Sequence, residues 1–193
     1  MARPREFDET AAVESAMHAF WTRGYEATST QDLCEATGLG RSSVYNAFTS
    51  KRALFERSLA HYSARGLAGR KAVLDGPGTA AERITAMFGA LIEEELTEGR
   101  RGCLVVNTFT ELGTPEDGVG TALRKDTEKQ LTLLTECARE GTLDGSLQDG
   151  RTPADVAEFL LSTISGLRVM SRRGASAEAM HAVADLALSA ITR

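Results

Sequence analysis

The chain has 193 residues, of which 42% are hydrophobic and 25% are charged, and its formal net charge is −5. This composition is ordinary for a soluble globular protein that is large enough to bury a core. No apolar run approaches the ~20 residues of a membrane span, and the N-terminal residues lack the apolar core of a signal peptide. We therefore expect a cytoplasmic protein with no membrane partner.

Positive charge is concentrated in one segment of this acidic chain. Between residues 36 and 71, seven basic residues are opposed only by Glu56, so this segment carries +6 and the rest of the chain −11. Such asymmetry indicates one phosphate-facing end on an acidic body. A solvated basic helix face is the alternative, and it is the preferred interpretation for Arg65, Arg70 and Lys71. The seven residues are Arg41, Lys51, Arg52, Arg57, Arg65, Arg70 and Lys71.

Helical periodicity and capping signals recur along the whole chain, whereas strand signals are almost absent, so the sequence predicts an all-α fold. The strongest break is the Asp-Gly-Pro-Gly sequence at 75–78. Nine helices are predicted, at about 8–23, 29–37, 41–48, 51–73, 79–97, 103–112, 116–140, 152–173 and 176–191.

The segment 29–51 predicts two short helices joined by a glycine turn, followed directly by the start of a third. Ser29 and Asp32 form an S-x-x-D capping box, which starts the first of these helices. Gly38 ends that helix. A pair of short helices joined in this way is the framework of a helix-turn-helix.

The second short helix, 41–48, has the features of a recognition helix. Val44 and Phe48 are spaced at i and i+4, so both point inward. The other face carries small, hydrogen-bonding side chains that can approach a groove wall and phosphates. Ser50 can then cap the next helix, which brings the Lys51 ammonium and free backbone N–H groups to a place where a phosphate can bind.

This segment resembles the DNA-binding region of TetR-family transcriptional repressors. The resemblance implies a three-helix helix-turn-helix head at 1–50, a connecting helix at 51–74, and an effector-binding and dimerisation domain at 51–193. It implies a regulator that a small molecule releases from a palindromic double-stranded DNA operator. The matching residues are Thr30, Asp32, Leu33, Ala36, Thr37, Gly38, Leu39, Ser43, Val44, Tyr45, Phe48, Ser50 and Lys51.

The resemblance also implies roles for the DNA-binding residues. Thr30, Tyr45 and Lys51 are expected to hold phosphates, and Gln31 to reach a base or a phosphate. Arg41 is the first choice for base recognition, because arginine pairs well with guanine. Helix capping is the alternative for the serines, and half-buried packing for Tyr45. The residues expected at base edges are Arg41, Ser42, Ser43 and Asn46. An arm with Arg3 and Arg5 could also reach DNA, although frayed residues are the preferred interpretation.

In the resembled family the last two helices form a four-helix dimer interface, and the body holds a ligand cavity. A homodimer is therefore expected, with an internal core stripe as the alternative for the same residues. The interface residues would be Val156, Leu160, Ile164, Leu167, Met180, Val183 and Leu186. The effector-binding residues would be Phe88, Leu91, Ile92, Leu104, Asn107, Thr108, Phe109, Leu131, Leu134, Phe159 and Thr163, although solid core is an alternative for each. Asn107 would either orient an effector or cap a neighbouring helix.

Three other functions are weighed against this one. An enzyme is not expected, because the three histidines lack metal-site spacing and no nucleotide or hydrolase motif occurs. Neither a metal site nor a cofactor is expected, because the three cysteines contain no C-x-x-C pair. A repressor that senses oxidation through Cys103 is the main alternative, since Arg100, Arg101 and a helix N-terminus would activate that thiol. A small buried hydrophobic residue is the preferred interpretation of Cys103 itself. A protein-only interaction module is the last.

Overall fold

The computed structural model describes residues 7–193, and this part of the chain folds into nine α-helices. The all-α prediction is confirmed, since the described residues form no strand beyond an isolated bridge between Leu147 and Thr192. None of the described helices is long and apolar enough to cross a membrane. The helices are α1 Glu9–Arg23, α2 Thr30–Thr37, α3 Arg41–Phe48, α4 Lys51–Leu74, α5 Ala80–Thr97, α6 Leu104–Leu112, α7 Gly118–Leu143, α8 Pro153–Arg172 and α9 Ala177–Ser189.

Side-chain caps start most of these helices where the sequence predicts them. The Ser29 hydroxyl accepts from the backbone N–H of Asp32, whose carboxylate accepts from the Ser29 N–H in return. Thr79 and Glu82 form the same reciprocal pair at the start of α5. Each box satisfies two backbone donors that a helix N-terminus otherwise leaves unpaired.

Helix α7 extends further than the sequence predicts, and Gly141 explains the difference. The glycine was expected to open a turn, but it lies inside the helix. A Cβ built there would come within 2.5 Å of the Leu147 side chain. The glycine therefore allows the segment after α7 to pack directly on the helix, rather than ending it. Asp117 caps the other end, where it accepts from the N–H groups of Val119 and Gly120.

The described residues pack into two hydrophobic clusters. One joins α1, α2, α3 and the first half of α4 to parts of α6 and α7, with Phe20 and Phe55 at its centre. The rings of these two phenylalanines meet edge to face at a centroid distance of 4.9 Å. The other cluster joins α5, α7, α8 and α9. The first half of α4 thus belongs to the core of the N-terminal head.

Five of the seven residues expected at a dimer interface are buried in the protomer's own second cluster, so they cannot present a free surface to a partner. These five are Val156, Leu160, Ile164, Leu167 and Met180. The sequence pattern was interpreted wrongly here because an apolar stripe at helical spacing looks the same in a core and in an interface. Val183 and Leu186 do lie on the surface, 37% and 70% exposed.

Candidate DNA-binding surface and ligand cavity

A tight turn sets the angle between α3 and α4. Thr49 has a positive φ of 65°, and the Ser50 N–H donates to the Phe48 carbonyl at 2.6 Å. A hydrogen bond that spans only three residues is a γ-turn, and with positive φ at a non-glycine residue it is a strained one. Ser50 then caps α4 by accepting from the Ala53 N–H at 3.0 Å. The turn therefore starts α4 directly beside the end of α3.

The exposed face of α3 joins the start of α2 through Tyr45. The Tyr45 hydroxyl lies 3.3 Å from the Thr30 hydroxyl, and the Arg41 guanidinium lies 5.9 Å from the centre of the Tyr45 ring. The hydrogen bond with Thr30, together with Arg41, lowers the pKa of the Tyr45 phenol. The structure thus brings together three of the residues predicted to bind DNA.

The remaining predicted residues of this face differ in how free they are. Ser42 and Asn46 are exposed one turn apart on α3, whereas Ser43 is half-buried. Gln31 is exposed, but its amide already donates to Glu35 at 3.0 Å. The predicted N-terminal arm with Arg3 and Arg5 lies outside the described residues.

Lys51 sits at the edge of the same face, on the first turn of α4. Its ammonium donates to the Glu26 carbonyl at 3.4 Å and lies 4.4 Å above the Tyr25 ring. Both contacts are with neutral groups, so the lysine keeps its charge available. The Tyr25 ring also packs against Phe55 at a centroid distance of 4.8 Å. The loop after α1 therefore holds Lys51 in place, which the sequence did not indicate.

Most of the positive charge between residues 36 and 71 is neutralised elsewhere in the fold. Arg52 pairs with Asp117, Arg57 with Glu9, Arg65 with Glu14 and Lys71 with Asp75. On the exposed face of the head, Arg41 and Lys51 have no carboxylate within 4 Å among residues 7–193. The basic surface is thus smaller than the sequence suggests.

A cavity of about 380 Å³ lies in the body between α4, α5, α6, α7 and α8, and we call it the main cavity because five helices enclose it. Apolar side chains form much of its wall, and a tyrosine, three arginines and three carboxylates also line it. The apolar lining residues include Trp21, Val73, Met87, Leu91, Val105, Phe109, Leu161 and Ile164. A concave, largely apolar space with a few polar groups is typical of a small-molecule site.

Arg168 organises the polar groups at one end of this cavity. Its guanidinium donates to Glu95 at 3.0 Å, to Glu94 at 3.1 Å and to the Tyr62 hydroxyl at 3.1 Å. Burial raises the pKa of the Glu95 carboxyl, and the charge of Arg168 opposes that rise. Burial also raises the pKa of Tyr62, which therefore stays neutral at physiological pH. Arg168 is thus satisfied by two carboxylates and a phenol.

Two segments of this chain match models of one protein family. Residues 12–57 match the model for bacterial regulatory proteins of the tetR family, and residues 80–187 match the model for the tetracyclin repressor-like C-terminal domain. The chain belongs to the TetR family. It is a DNA-binding helix-turn-helix transcriptional regulator, as the sequence analysis predicted, and this is a family of regulators rather than of enzymes.

Individual TetR-family proteins resemble the chain over most of its length. The transcriptional repressor ComR of Escherichia coli (strain K12) is 32% identical, over 96% of this chain and 90% of ComR. The repressor DhaR of Mycobacterium sp. (strain GP1) is 30% identical, over 80% of this chain and 77% of DhaR. A cysteine mutant of the regulator CifR, solved with a 26-bp operator duplex, is 35% identical; the match covers 98% and 100% of the two chains, with a TM-score of 0.86.

Only some of the residues predicted to bind an effector line the cavity of this TetR-family protein. Leu91 and Phe109 do. The expectation fails for Phe88, Ile92 and Leu134, which are solid core, and for Phe159, which is 40% exposed on the surface. Leu131 packs against that core, and the Thr163 hydroxyl donates to its own helix. The other three predicted residues lie on α6 and line a different cleft; they are Leu104, Asn107 and Thr108.

This second cleft, of about 550 Å³, lies where α6 and α8 meet the head. At its edge the Glu111 carboxylate accepts from the backbone N–H groups of Tyr25 and Glu26, at 2.9 Å and 2.8 Å. Asn107 donates instead to the Arg101 carbonyl at 3.1 Å, in the loop before its own helix, so its alternative role of capping a neighbouring helix is not met. Through its hydrogen bonds to Tyr25 and Glu26, Glu111 connects α6 to the loop that holds Lys51.

The three cysteines occupy different environments. Cys103 is half-buried and lines the main cavity, while Cys137 is buried, and burial raises its pKa to about 11. The two arginines expected to act on Cys103 have other partners: Arg100 donates to the Ala175 carbonyl at 2.6 Å, and Arg101 donates to Glu98 at 2.7 Å. The electrostatic reason for an activated thiol is therefore weaker than the sequence suggests.

A pH titration tests the cap of α2. Hydrogen bonds from Ser29, and then from Arg23, lower the pKa of Asp32 from 3.8 to about 2. Because the folded-state pKa is depressed, the Asp32 charge stabilises the head above about pH 4, and that contribution is lost as the pH falls towards 2. We expect the carboxyl carbon of Asp32 to titrate near pH 2 by NMR, and Asp32→Asn to flatten the acid loss of stability. Asp185→Asn, on the surface of α9, is the control, and a midpoint near 3.8 contradicts the assignment.

Proposed function

We propose that this chain is a repressor that binds a pseudo-palindromic DNA operator as a homodimer and releases it when a small molecule occupies the main cavity. One observation carries the proposal: helix α4 contributes residues both to the proposed DNA-binding face and to the main cavity. Its first turn bears Lys51 beside the recognition helix, and its second half, from Tyr62 to Val73, lines the cavity. The names of ComR and DhaR as repressors, and the operator complex of CifR, support it. Such a regulator acts on chromosomal DNA in the cytoplasm.

The contacts of the head suggest a division of labour on DNA. Lys51, Tyr45 and Thr30 surround the start of α2 and α4, where backbone N–H groups and positive charge favour phosphate. We assign these three to the DNA backbone. Arg41 has no carboxylate partner among residues 7–193, so its guanidinium is free to pair with guanine. The residues assigned to base edges are Arg41, Ser42, Ser43 and Asn46.

The exposed apolar side chains of α8 and α9 are the proposed dimer interface. They are Phe159 and Val169 of α8 and Val183 and Leu186 of α9. No atom lies near the position where a Cβ would project from Gly166, so another helix can approach closely there. A two-fold dimer through this interface would carry two recognition helices to successive major grooves, about 34 Å apart.

Two connections could carry the ligand signal to the head. Helix α4 is continuous from the cavity wall to Lys51. Helix α6 lines the cavity through Val105 and Phe109, and its last turn holds the Tyr25–Glu26 backbone through Glu111. A ligand that shifts either helix would change the position of the head. A coupling free energy of ~1–3 kcal/mol is enough for a several-fold to hundredfold loss of operator affinity.

Single substitutions of basic residues test the DNA-binding roles. Lys51→Ala should weaken binding to all duplexes about equally and reduce the slope of log affinity against log salt by about 1 per protomer, because it removes a phosphate contact. Arg41→Ala should instead relax the preference at one base position in each half-site. Fluorescence anisotropy on a library of half-site variants at several salt concentrations measures both effects.

Arg57→Ala is the matched control for this experiment. Arg57 lies on α4 like Lys51, but its charge is already paired with Glu9 of α1. Its removal should leave both the affinity and the base preference nearly unchanged. The assigned roles are wrong if the Lys51 and Arg41 variants behave alike, or if the control weakens DNA binding as much as they do.

Glu111→Gln tests the connection through α6. A glutamine offers one acceptor where the carboxylate offers two, so one of the Tyr25 and Glu26 N–H groups loses its partner. Since a hydrogen bond to a charged group contributes ~1.5–3 kcal/mol, the N–H group that loses its partner should exchange with deuterium about tenfold faster or more. Operator affinity should fall several-fold. Hydrogen exchange by NMR and anisotropy measure the two effects.

Glu93→Gln, the same chemical change on the exposed face of α5, is the control. It should alter neither the exchange rates nor the operator affinity. If Glu111→Gln leaves exchange at Tyr25 and Glu26 unchanged, α6 does not hold the loop, and the signal must pass through α4 alone.

A thiol-sensing repressor is the second candidate, because Cys103 lines the cavity together with Tyr62. In that case Cys103 should react with iodoacetamide before Cys137, whose thiol is buried and has a pKa raised to about 11. Peroxide should release operator from the wild type, whereas Cys103→Ser should bind operator normally and ignore peroxide. Mass spectrometry of labelled peptides, paired with anisotropy, measures this. Unchanged operator affinity after complete Cys103 modification excludes the thiol mechanism.

A further inference from the structure

The three arginines that line the main cavity differ in how their charge is balanced. Arg168 is balanced by Glu94 and Glu95, and Arg65 pairs with Glu14 at 3.1 Å. Arg70 has a neutral partner instead: its guanidinium donates to the side-chain carbonyl of Gln130. No carboxylate lies within 4 Å of Arg70 among residues 7–193.

The surroundings of Arg70 oppose its positive charge. Burial, and then the charge of Arg168, lower the pKa of the Arg70 guanidinium. Asp126 acts in the opposite direction, but it does not form an ion pair with Arg70. A partly buried guanidinium that donates to an amide has unused donors and an incompletely balanced charge. An anion placed beside Arg70 would therefore balance its charge and accept from its unused donors.

We propose that the effector of this regulator is a carboxylate on an aromatic or medium-length apolar skeleton, and that its carboxylate binds Arg70. This inference rests on the proposed function, since it takes the main cavity as the effector site. The planar guanidinium can donate two parallel hydrogen bonds to a carboxylate, which a neutral amide such as Gln130 cannot match. The apolar skeleton would lie against Met87, Leu91 and Phe109.

The position of Arg70 also suggests how such an acid acts. Arg70 lies on α4 and Gln130 on α7, so their hydrogen bond joins the helix that carries Lys51 to the body. A carboxylate that accepts two hydrogen bonds from Arg70 can include the Nη1 group that now donates to Gln130, and this weakens the bond to Gln130. The contact between α4 and α7 then changes at this point, and the change reaches the head along α4.

Matched ligands test the charge requirement directly. The probes are 4-phenylbutyrate, 4-phenylbutanamide and 4-phenylbutylamine, with octanoate, octanamide and octylamine as a second set. Isothermal titration calorimetry on the full-length protein should show at least one acid binding about tenfold or more tightly than its amide, and the amine no better than the amide. The acid that binds should also lower operator affinity.

Three variants locate the preference. Arg70→Gln removes the charge, and Gln130→Glu supplies Arg70 with a built-in carboxylate, so each should reduce the acid-over-amide ratio to near 1. Arg65→Gln is the matched control, because it removes an equal charge from the same helix and cavity but from an arginine already paired with Glu14. It should keep the ratio. Circular dichroism melting checks that each variant folds. Arg70→Gln and Gln130→Glu test the same requirement, an unbalanced charge on Arg70, by opposite changes.

The outcomes separate this inference from the proposed function. The inference is overturned if no acid is preferred over its amide, or if an amine is preferred, which would make one of the cavity carboxylates the anchor. It is also overturned if Arg65→Gln removes the preference as fully as Arg70→Gln. Operator binding that still depends on Lys51 would leave the repressor function standing in each of these cases. Loss of that DNA dependence would instead contradict the proposed function itself.

Discussion

The continuity of α4 is the constraint on which the rest of this structure depends. Phe55, in its second turn, is 1% exposed and lies at the centre of the head core, where it meets Phe20 and Tyr25. Further along the same helix, Tyr62 and Arg70 line the cavity. An α-helix is stiff over this length, so the head cannot change position relative to the body without a movement of α4. The proposed DNA-binding face and the cavity are therefore mechanically joined.

Charge is distributed so that the proposed DNA-binding face stays small and positive. Carboxylates of α1 and of the segment before α7 neutralise Arg57 and Arg52 on the flanks of α4. Lys51, in contrast, contacts an aromatic ring and a backbone carbonyl. This arrangement explains how an acidic protein can present a local site for phosphate. The net charge alone is a poor guide, because neutralised and available charges count equally in it.

The sequence predicted what depends on residues close together in the chain. The capping boxes at Ser29 and Thr79, and the inward Val44 and Phe48 of α3, follow from local rules and were confirmed. The stripe that includes Leu160 was recognised, but its role was not, because helical periodicity cannot distinguish a core from an interface.

Contacts between residues far apart in the chain could not be predicted, because the sequence rules used act only over short distances. Glu111 and Tyr25 are 86 residues apart, and nothing in their local sequence indicates that they meet. The same holds for Arg70 and Gln130, 60 residues apart. Only the folded structure shows which charged residues of a helix are paired, and these pairings decide which of them remain available for DNA or a ligand.

The dependence of operator affinity on the spacing of its half-sites tests most directly whether α4 holds each head rigidly. Two heads fixed by α4 in a two-fold dimer require half-sites on one face of the duplex, about one helical turn apart. Inserting about 5 bp between the half-sites of the operator turns them to opposite faces, since a full turn takes about 10 bp. Anisotropy with this duplex should show loss of tight dimer binding, and an insertion of about 10 bp should not restore it fully, because the gap becomes too wide. Affinity that does not depend on the spacing would contradict a rigid attachment of the heads by α4.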